Sequence, residues 1–375
     1  MNTVHNIHAV SFQVPWPADY GGAIDVYYKL KALHEAGYSV TLHTYIYGER
    51  TPQPMLEELC DNVYYYERET GWKKQFSILP YIVSTRCNPQ LLENLCKDDS
   101  PILFEGLHTC FFLNHPMLAN RKKIVRMHNI EHFYYRSLAV QAGWNWRSLY
   151  YWVESVRLRR YESVLQYADL ICGITKADQQ YLIKHFPEKK VIHLPCFFDT
   201  TPLASLSSSQ TYTTEPFVLY HGNLSVEENQ RVVRYILGHI APLCPGILFV
   251  IAGRNPNFKD VPRNVKIIAN PSDEYLDQLI ETARIHLMLT FQSTGIKLKL
   301  LNVLTKGRGH IIANRPMLYG HSLGRFCTQA DETSEIAESL KTLMGQPIDT
   351  STLENRNKVL LKMKKAGISR LSLFE

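Results

Sequence analysis

The sequence predicts an α/β protein made of two doubly wound parallel-sheet domains, and three observations predict it. The chain has 375 residues, beyond the length at which one hydrophobic core keeps growing. Short apolar runs alternate with amphipathic helical stretches, the pattern that lays crossover helices over parallel strands. That alternation stops once, in the Ser-, Thr- and Pro-rich segment 200–216, and then restarts. The expected division is therefore 1–199, a linker at 200–216, a second domain at 217–345 and a helical segment at 346–375.

In the first half, strands are expected at Ile7–Gln13, Val40–Tyr45, Ile102–Gly106, Ile124–His128, Leu170–Ile174 and Val191–Leu194. After the first strand, a turn ending in Gly21-Gly22 leads into a helix over 25–36, where Val26, Leu30 and Leu33 fall at helical spacing and Gly37 follows as a stop. Gly21 and Gly22 can bring their amides close to an anion. The strands starting at Ile102 and Ile124 run out into titratable groups, Glu105 and His108 in one case, His128 and Glu131 in the other. Strand ends are where a doubly wound sheet places its working groups, and His changes charge near neutral pH. His128 is thus the first candidate for work at a reacting centre. From His132 to Tyr161 the chain is rich in Tyr and Trp and carries Arg157-Leu158-Arg159-Arg160. Such a face is either plainly solvated or suited to an anionic lipid surface.

In the second half, strands are expected at Phe217–Tyr220, Ile247–Ala252, Val265–Ile268, Ile285–Leu289 and His310–Ala313, with helices at Glu228–His239 and Asp273–Thr282. Gly222-Asn223 and Gly253-Arg254 stand directly after strands. A guanidinium such as that of Arg254 can grip two phosphate oxygens at once. After the strand at Ile285, the turn Ser293-Thr294-Gly295-Ile296-Lys297-Leu298-Lys299 opens a helix that runs towards Gly307. Its first amides point outward, the helix dipole favours negative charge there, and Gly295 allows close approach, so the turn suits a phosphate. An ordinary strand-to-helix connection has the same outline. Asn302 lies two turns into that helix. The stretch Leu353–Lys365 reads as a helix packing back across the domains.

Composition narrows the classes. With 45% hydrophobic and 20% charged residues the chain is of ordinary globular type. No apolar run reaches the ~20 residues that span a bilayer, and Met1–Asn6 lacks a leader's basic and apolar regions. A cytoplasmic protein is expected, peripheral at the inner face of the membrane. The net charge of +6 is modest, and no nucleic-acid module is recognisable. The eight cysteines are scattered and read as reduced, and the fifteen histidines show no metal-type spacing.

Taken in order, the chain resembles the retaining glycosyltransferases of GT-B architecture, the group often called family 4 or glycosyl transferases group 1. The resemblance is carried by the Gly21-Gly22 turn, Arg126-Met127-His128-Asn129-Ile130-Glu131, Gly173-Ile174-Thr175-Lys176-Ala177-Asp178, His193-Leu194-Pro195, Tyr220-His221-Gly222-Asn223-Leu224, Ala252-Gly253-Arg254 and the helix start at Thr294. It implies two Rossmann-like domains facing a central cleft, the first on the acceptor side and the second binding a nucleoside-diphosphate sugar. It also implies transfer of the sugar to a hydroxyl with retention, in cell-envelope polysaccharide synthesis, with a saccharide or lipid-linked acceptor and neither cofactor nor metal. His128, Arg254 and Lys297 are then catalytic. Gly21, Gly22, Gly222, Asn223, Thr294, Gly295, Ile296, Lys299 and Asn302 face the donor, and Glu105, His108 and Glu131 the acceptor.

The family's motif is Glu, seven residues, Glu; here Thr294 and Asn302 stand at those positions. Glu227 and Glu228 stand near the place of the family's basic residue, leaving Lys297 or Lys299 to supply the charge. Two other readings stay open on these departures: an epimerase-type enzyme on the same architecture, with His108 and Glu105 as its acid/base pair, and a non-catalytic nucleotide-sugar-binding protein.

Overall fold

The computed structural model describes residues 5–18, 20–199, 215–292, 297–320 and 323–374. Among them the chain forms two compact units, one holding the chain up to Phe198 and from Met363 onward, the other running from Asp199 to Lys362. Most of the expected linker, 200–214, lies outside the described residues.

The first unit is a parallel sheet of β1 (His5–Ser11), β2 (Tyr38–Ile46), β3 (Asn62–Glu67), β4 (Ile102–Glu105), β5 (Lys123–Met127), β6 (Leu170–Gly173) and β7 (Lys190–His193). Its strand order is β3-β2-β1-β4-β5-β6-β7. Ala9 of β1 lies opposite Leu42 of β2 on one side and Leu103 of β4 on the other. The sheet is covered on both faces, which is why its strands read as unbroken apolar runs. Ile7 and Ala9 pack with Val26, Leu30 and Leu33, while Val10 packs with Phe104 and Val125. The six expected strands are present. The seventh, β3, is the edge strand Asn-Val-Tyr-Tyr-Tyr-Glu, in which only Tyr66 is buried, so it gives no apolar run to find.

The helix expected over 25–36 spans Gly21–Glu35, starting at the glycine pair itself. Gly37, with φ of 82°, ends the turn that follows. At the other end of the chain the expected Leu353–Lys365 helix is longer, Thr350–Ser369. Beyond it Leu371 and Phe374 are buried in the first unit's core with Ile7 and Val40, and the Tyr38 hydroxyl donates to the Leu371 carbonyl at 2.9 Å.

The second unit is a parallel sheet of β8 (Phe217–Asn223), β9 (Leu248–Arg254), β10 (Val265–Ala269), β11 (Ile285–Met288), β12 (His310–Ala313) and β13 (Thr328–Gln329). They are ordered β10-β9-β8-β11-β12-β13. Tyr220, Phe249, Ile251, Leu287 and Ile312 meet in its core. The helix Asp273–Thr282 falls as expected, and Glu227–Tyr235 continues into a π turn over Ile236–Ile240. The helix expected from the 294 turn is Leu298–Lys306, with Lys297 at its cap. Thr294, Gly295 and Ile296, where the amides of the expected phosphate turn fall, lie outside the described residues. Among the described residues no helix is long and apolar enough to cross a membrane, and the cysteines are free.

Candidate functional site

In each sheet the winding reverses once, between β1 and β4 in the first unit and between β8 and β11 in the second. Ligands of doubly wound sheets bind outside the carboxyl ends of the strands at that reversal. Each unit carries a cluster of polar side chains near its own reversal.

In the first unit the helix Gly21–Glu35 packs on the reversal and turns Asp25 and Lys29 inward, one helical turn apart. Lys29 Nζ donates to both oxygens of Glu105, at 2.7 and 2.8 Å, and stands 3.5 Å from Asp25 Oδ2. From β5, Arg126 reaches Asp25 Oδ2 at 3.2 Å and donates to the carbonyls of Leu194 and Pro195. The amide of Phe197 donates to Asp25 Oδ1 at 2.6 Å. His128, just past β5, has Nε2 at 2.9 Å from Glu105 Oε2 and Nδ1 at 3.6 Å from Asp25 Oδ2. The second distance is past hydrogen bonding. Asp25, Lys29, Glu105, Arg126 and His128 are all buried, so two carboxylates and two cations balance where an unpaired charge would be very costly. Burial pushes the Asp25 carboxyl up, but Arg126 and Lys29 outweigh it and hold that group well below the usual range. At Glu105 burial is outweighed in the same way by Lys29 and the His128 hydrogen bond.

Asp25, Glu105 and His128 also offer three ligand atoms within 4.8 Å of one another. A cation there would have to displace Lys29 and Arg126, which already neutralise those oxygens. The donor set is filled by the protein's own charges.

A second pair lies beside this cluster. Gly106 leaves β4 with φ of 78°, and a Cβ there would come within 3.0 Å of His108 Nδ1, so the position calls for glycine. Phe12 packs its ring against both His108 and His128. Glu131 opens the helix Glu131–Ala142, with Oε1 4.0 Å from His108 Nδ1. Neither atom has a hydrogen-bond partner among the described residues. Burial raises the Glu131 carboxyl to about 8, against the pull of Asn129 and Arg86. Burial, then the charge of Arg86, holds His108 well below the ordinary imidazole value. Both are therefore neutral at neutral pH. Gly21 and Gly22 form the first turn of the helix Gly21–Glu35, where no side chain caps the amides.

In the second unit Lys299 lies at the reversal. Its Nζ donates to the Leu289 carbonyl at 3.2 Å, to Asn229 Oδ1 at 3.3 Å and to the Tyr220 hydroxyl at 3.4 Å. Asn229 donates in turn to the Asn223 carbonyl at 2.8 Å, linking Lys299 to the end of β8. Glu228 accepts from the Thr290 hydroxyl and the Phe291 amide, each at 2.6 Å. Its other oxygen is buried without a partner among the described residues. Burial brings Lys297 and Lys299 each down to about 8, with Glu228 opposing the fall. Gly222 and Gly253 meet at the ends of β8 and β9, where a Cβ on Gly253 would lie 1.9 Å from the Gly222 carbonyl oxygen. Arg254 ends β9 and is exposed, and Asn302 is half-buried on the helix Leu298–Lys306.

Asp25 and Lys29 escape a sequence search because an i, i+4 acid–base pair on a helix normally reads as a solvated pair, and Arg126, though it stands in the Arg126–Glu131 motif, reads there as one residue of a strand. Glu228 reads in the sequence only as an acid near the place of a basic residue, and Asn229 carries no signal beyond following a strand. Tyr220 lies inside one.

No protein-family profile matches the chain. It is 26% identical to an uncharacterized 44.6 kDa protein in the cps region of Klebsiella pneumoniae, over 92% of this chain and 96% of that one. Among solved structures it is similar to a sucrose-phosphate synthase from Thermosynechococcus elongatus, with a TM-score of 0.71 at 16% identity over 99% and 98% of the two chains. A UDP-forming alpha,alpha-trehalose-phosphate synthase from Burkholderia xenovorans, solved with glucose-6-phosphate, matches with a TM-score of 0.64 at 12% identity over 97% of each chain. A trehalose-6-phosphate synthase studied for glycosyl transfer with retention matches with a TM-score of 0.63 at 11% identity over 98% of each chain. At such identities the likeness speaks for the fold, and the fold is GT-B: two Rossmann-like units, each wound about its own parallel sheet.

Proposed function

We propose that the chain is a retaining glycosyltransferase that moves a sugar from a nucleoside-diphosphate sugar to a hydroxyl of a saccharide or lipid-linked saccharide, in the making of a cell-envelope polysaccharide. The observation that carries this reading is the Lys297–Lys299 pair at the reversal of the second sheet. Both ammonium groups are lowered to about 8 by burial, with Glu228 as the carboxylate drawing them back. Two buried ammonium groups beside the first turn of a helix suit a diphosphate, whose oxygens accept charge-assisted hydrogen bonds from such cations. The relatives favour the same chemistry. One trehalose-phosphate synthase is UDP-forming, another is associated with retention, and the Klebsiella relative lies in a cps region, which suits capsule synthesis.

As the glycosidic bond breaks, negative charge builds on the leaving diphosphate. Cations already in place stabilise it without reorganising. We give that role to Lys297, Lys299 and Arg254, with the amides at Gly295 and Ile296. Gly21, Gly22, Gly222, Asn223, Thr294 and Asn302 are assigned to the donor. His128, whose Nδ1 lies 3.6 Å from Asp25 Oδ2 and so past hydrogen bonding, is assigned to the donor sugar. On the acceptor side, an acceptor hydroxyl set between Glu131 Oε1 and His108 Nδ1 can bond to both. We move Glu105 away from the acceptor, because Lys29 and His128 occupy its oxygens; its part is to hold His128. The same occupancy removes the Glu105–His108 pair on which epimerisation depends. The reaction is placed in the cytoplasm, against the inner face of the membrane.

The test is to incubate the purified chain with UDP-, GDP- and ADP-sugars, with and without saccharide acceptors. Donor consumption only with acceptor is the expected result. Interconversion without acceptor indicates an epimerase, and binding without turnover a non-catalytic protein. No binding of any nucleotide sugar overturns the reading.

A further inference from the structure

The first unit carries an apolar surface that the proposed reaction does not use. Of the five tryptophans in the chain, four stand in solvent on this unit: Trp72, Trp144, Trp146 and Trp152, at 68%, 107%, 74% and 57% exposure. The helices Glu131–Ala142 and Trp146–Tyr161 pack against each other as a hairpin. Its turn presents Val140, Trp144, Trp146 and Leu149. Arg157 donates to the Gln75 carbonyl at 2.9 Å, and the Tyr81 amide donates to Glu154 Oε2 at 2.8 Å. These bonds hold the segment 72–81, with the exposed side chains of Phe76 and Ile78, beside the second helix.

The charges on this face are of one sign. Arg136, Arg147, Arg160 and Lys73 are exposed, while Arg159 beside them is paired with the buried Glu162 at 3.7 Å. The carboxylates of 131–161, Glu131 and Glu154, are both buried, and 71–80 contains none. The nearby Glu69 is paired with Lys74 at 2.6 Å. A merely solvated face would interleave both signs, and a protein of this size does not leave so much ring area in water without a use. Tryptophan prefers the headgroup level of a bilayer, and arginine beside it attracts anionic headgroups. A second copy of the face would bring the same positive charge and be repelled.

We propose that this face docks the protein on an anionic lipid surface, with the hairpin turn at 140–149 entering the headgroup layer. The proposal rests on the membrane placement proposed for the reaction but uses no residue of the transfer site, so a failure to dock leaves sugar transfer standing. The test is cosedimentation of the full chain with vesicles of phosphatidylcholine alone and of phosphatidylcholine mixed with phosphatidylglycerol, at low and high salt. Binding should need phosphatidylglycerol, weaken with salt and shift the tryptophan emission to the blue. Trp144→Ser with Trp146→Ser should lower partitioning at least ~10-fold, since each ring offers roughly 150–250 Å² to bury. Arg136→Gln and Arg147→Gln should each lower it about fivefold, and these exposed changes keep the proposal testable if the tryptophan variant does not fold. Absence of binding to either vesicle, equal binding to both, or a self-associated species in light scattering that the tryptophan changes dissolve would overturn it.

Discussion

Lys299 concentrates the chemistry of the second unit in one side chain: its Nζ is held by a carbonyl, an amide oxygen and a phenol, and burial brings it to about 8. Lys299→Met keeps the length of the side chain and removes the charge. Donor kcat/KM should fall ~10- to 150-fold, the equivalent of a charge-assisted hydrogen bond of ~1.5–3 kcal/mol. Because Lys297 shares the same value, the free enzyme loses positive charge as pH rises through about 8. Wild-type donor kcat/KM should decline over that range, with a shallower decline in the variant; a flat wild-type profile would take both lysines out of the site. Asp25 shows the opposite sign. Its folded carboxyl lies well below the ordinary 3.8, because Arg126 and Lys29 overcome burial. The ionised group thus adds stability above about pH 4 that is lost as pH falls below that value. Asp25→Asn should cost ~3–5 kcal/mol at neutral pH, by leaving Arg126 without its anion, and make acid unfolding less steep. An unchanged acid transition, followed by circular dichroism, would refute this. His128, Lys297 and Lys299 are legible in the sequence as polar residues following strands. Asp25 and Lys29 are not, because nothing in a helix's own sequence says that its charged pair faces a sheet.

At the level of elements, the strands of both sheet centres are legible because burial on two faces demands continuous apolar sequence. The edges lack that demand. β3 is held by one buried tyrosine, and β13 is two exposed residues, Thr328–Gln329, so neither has a pattern to read. What sequence cannot give is how closely neighbouring strand ends approach. Gly253 marks such a place: a Cβ there would meet the Gly222 carbonyl oxygen at 1.9 Å and Leu224 Cγ at 2.9 Å. Backbone cannot rotate away as a side chain can, so Gly253→Ala must push the ends of β8 and β9 apart. The expected cost is about 3 kcal/mol, high in the range for an overpacked interior. Nucleotide binding should weaken with it, since the same displacement moves Gly222 and Asn223. A variant with wild-type melting and binding would show that the two strand ends are not in contact.

For the molecule as a whole, length and the restart of the strand–helix pattern point to two units, and the resemblance leads to the expectation that Leu353–Lys365 packs back across the domains, but the sequence does not mark the residues that enter the first core. An amphipathic helix carries no mark of which core its far end will join. Here residues from Met363 onward belong to the first unit, and Leu371 and Phe374, each 1% exposed, complete a core begun by β1 and β2. The first unit therefore cannot close its core until the last residues of the chain are present. Phe374→Ala should cost ~3–5 kcal/mol, the range for emptying a phenylalanine site. For a unit of this size that corresponds to a fall of roughly 6–20 °C in its melting temperature. Hydrogen exchange separates this from a general loosening. Amides of β1 and β2 should lose protection, while those of β8 and β9 keep theirs, because the substituted ring lies in the first core alone. Equal loss in both sheets, or none in β1 and β2, would mean that the terminal segment does not support the first unit in the way its burial indicates.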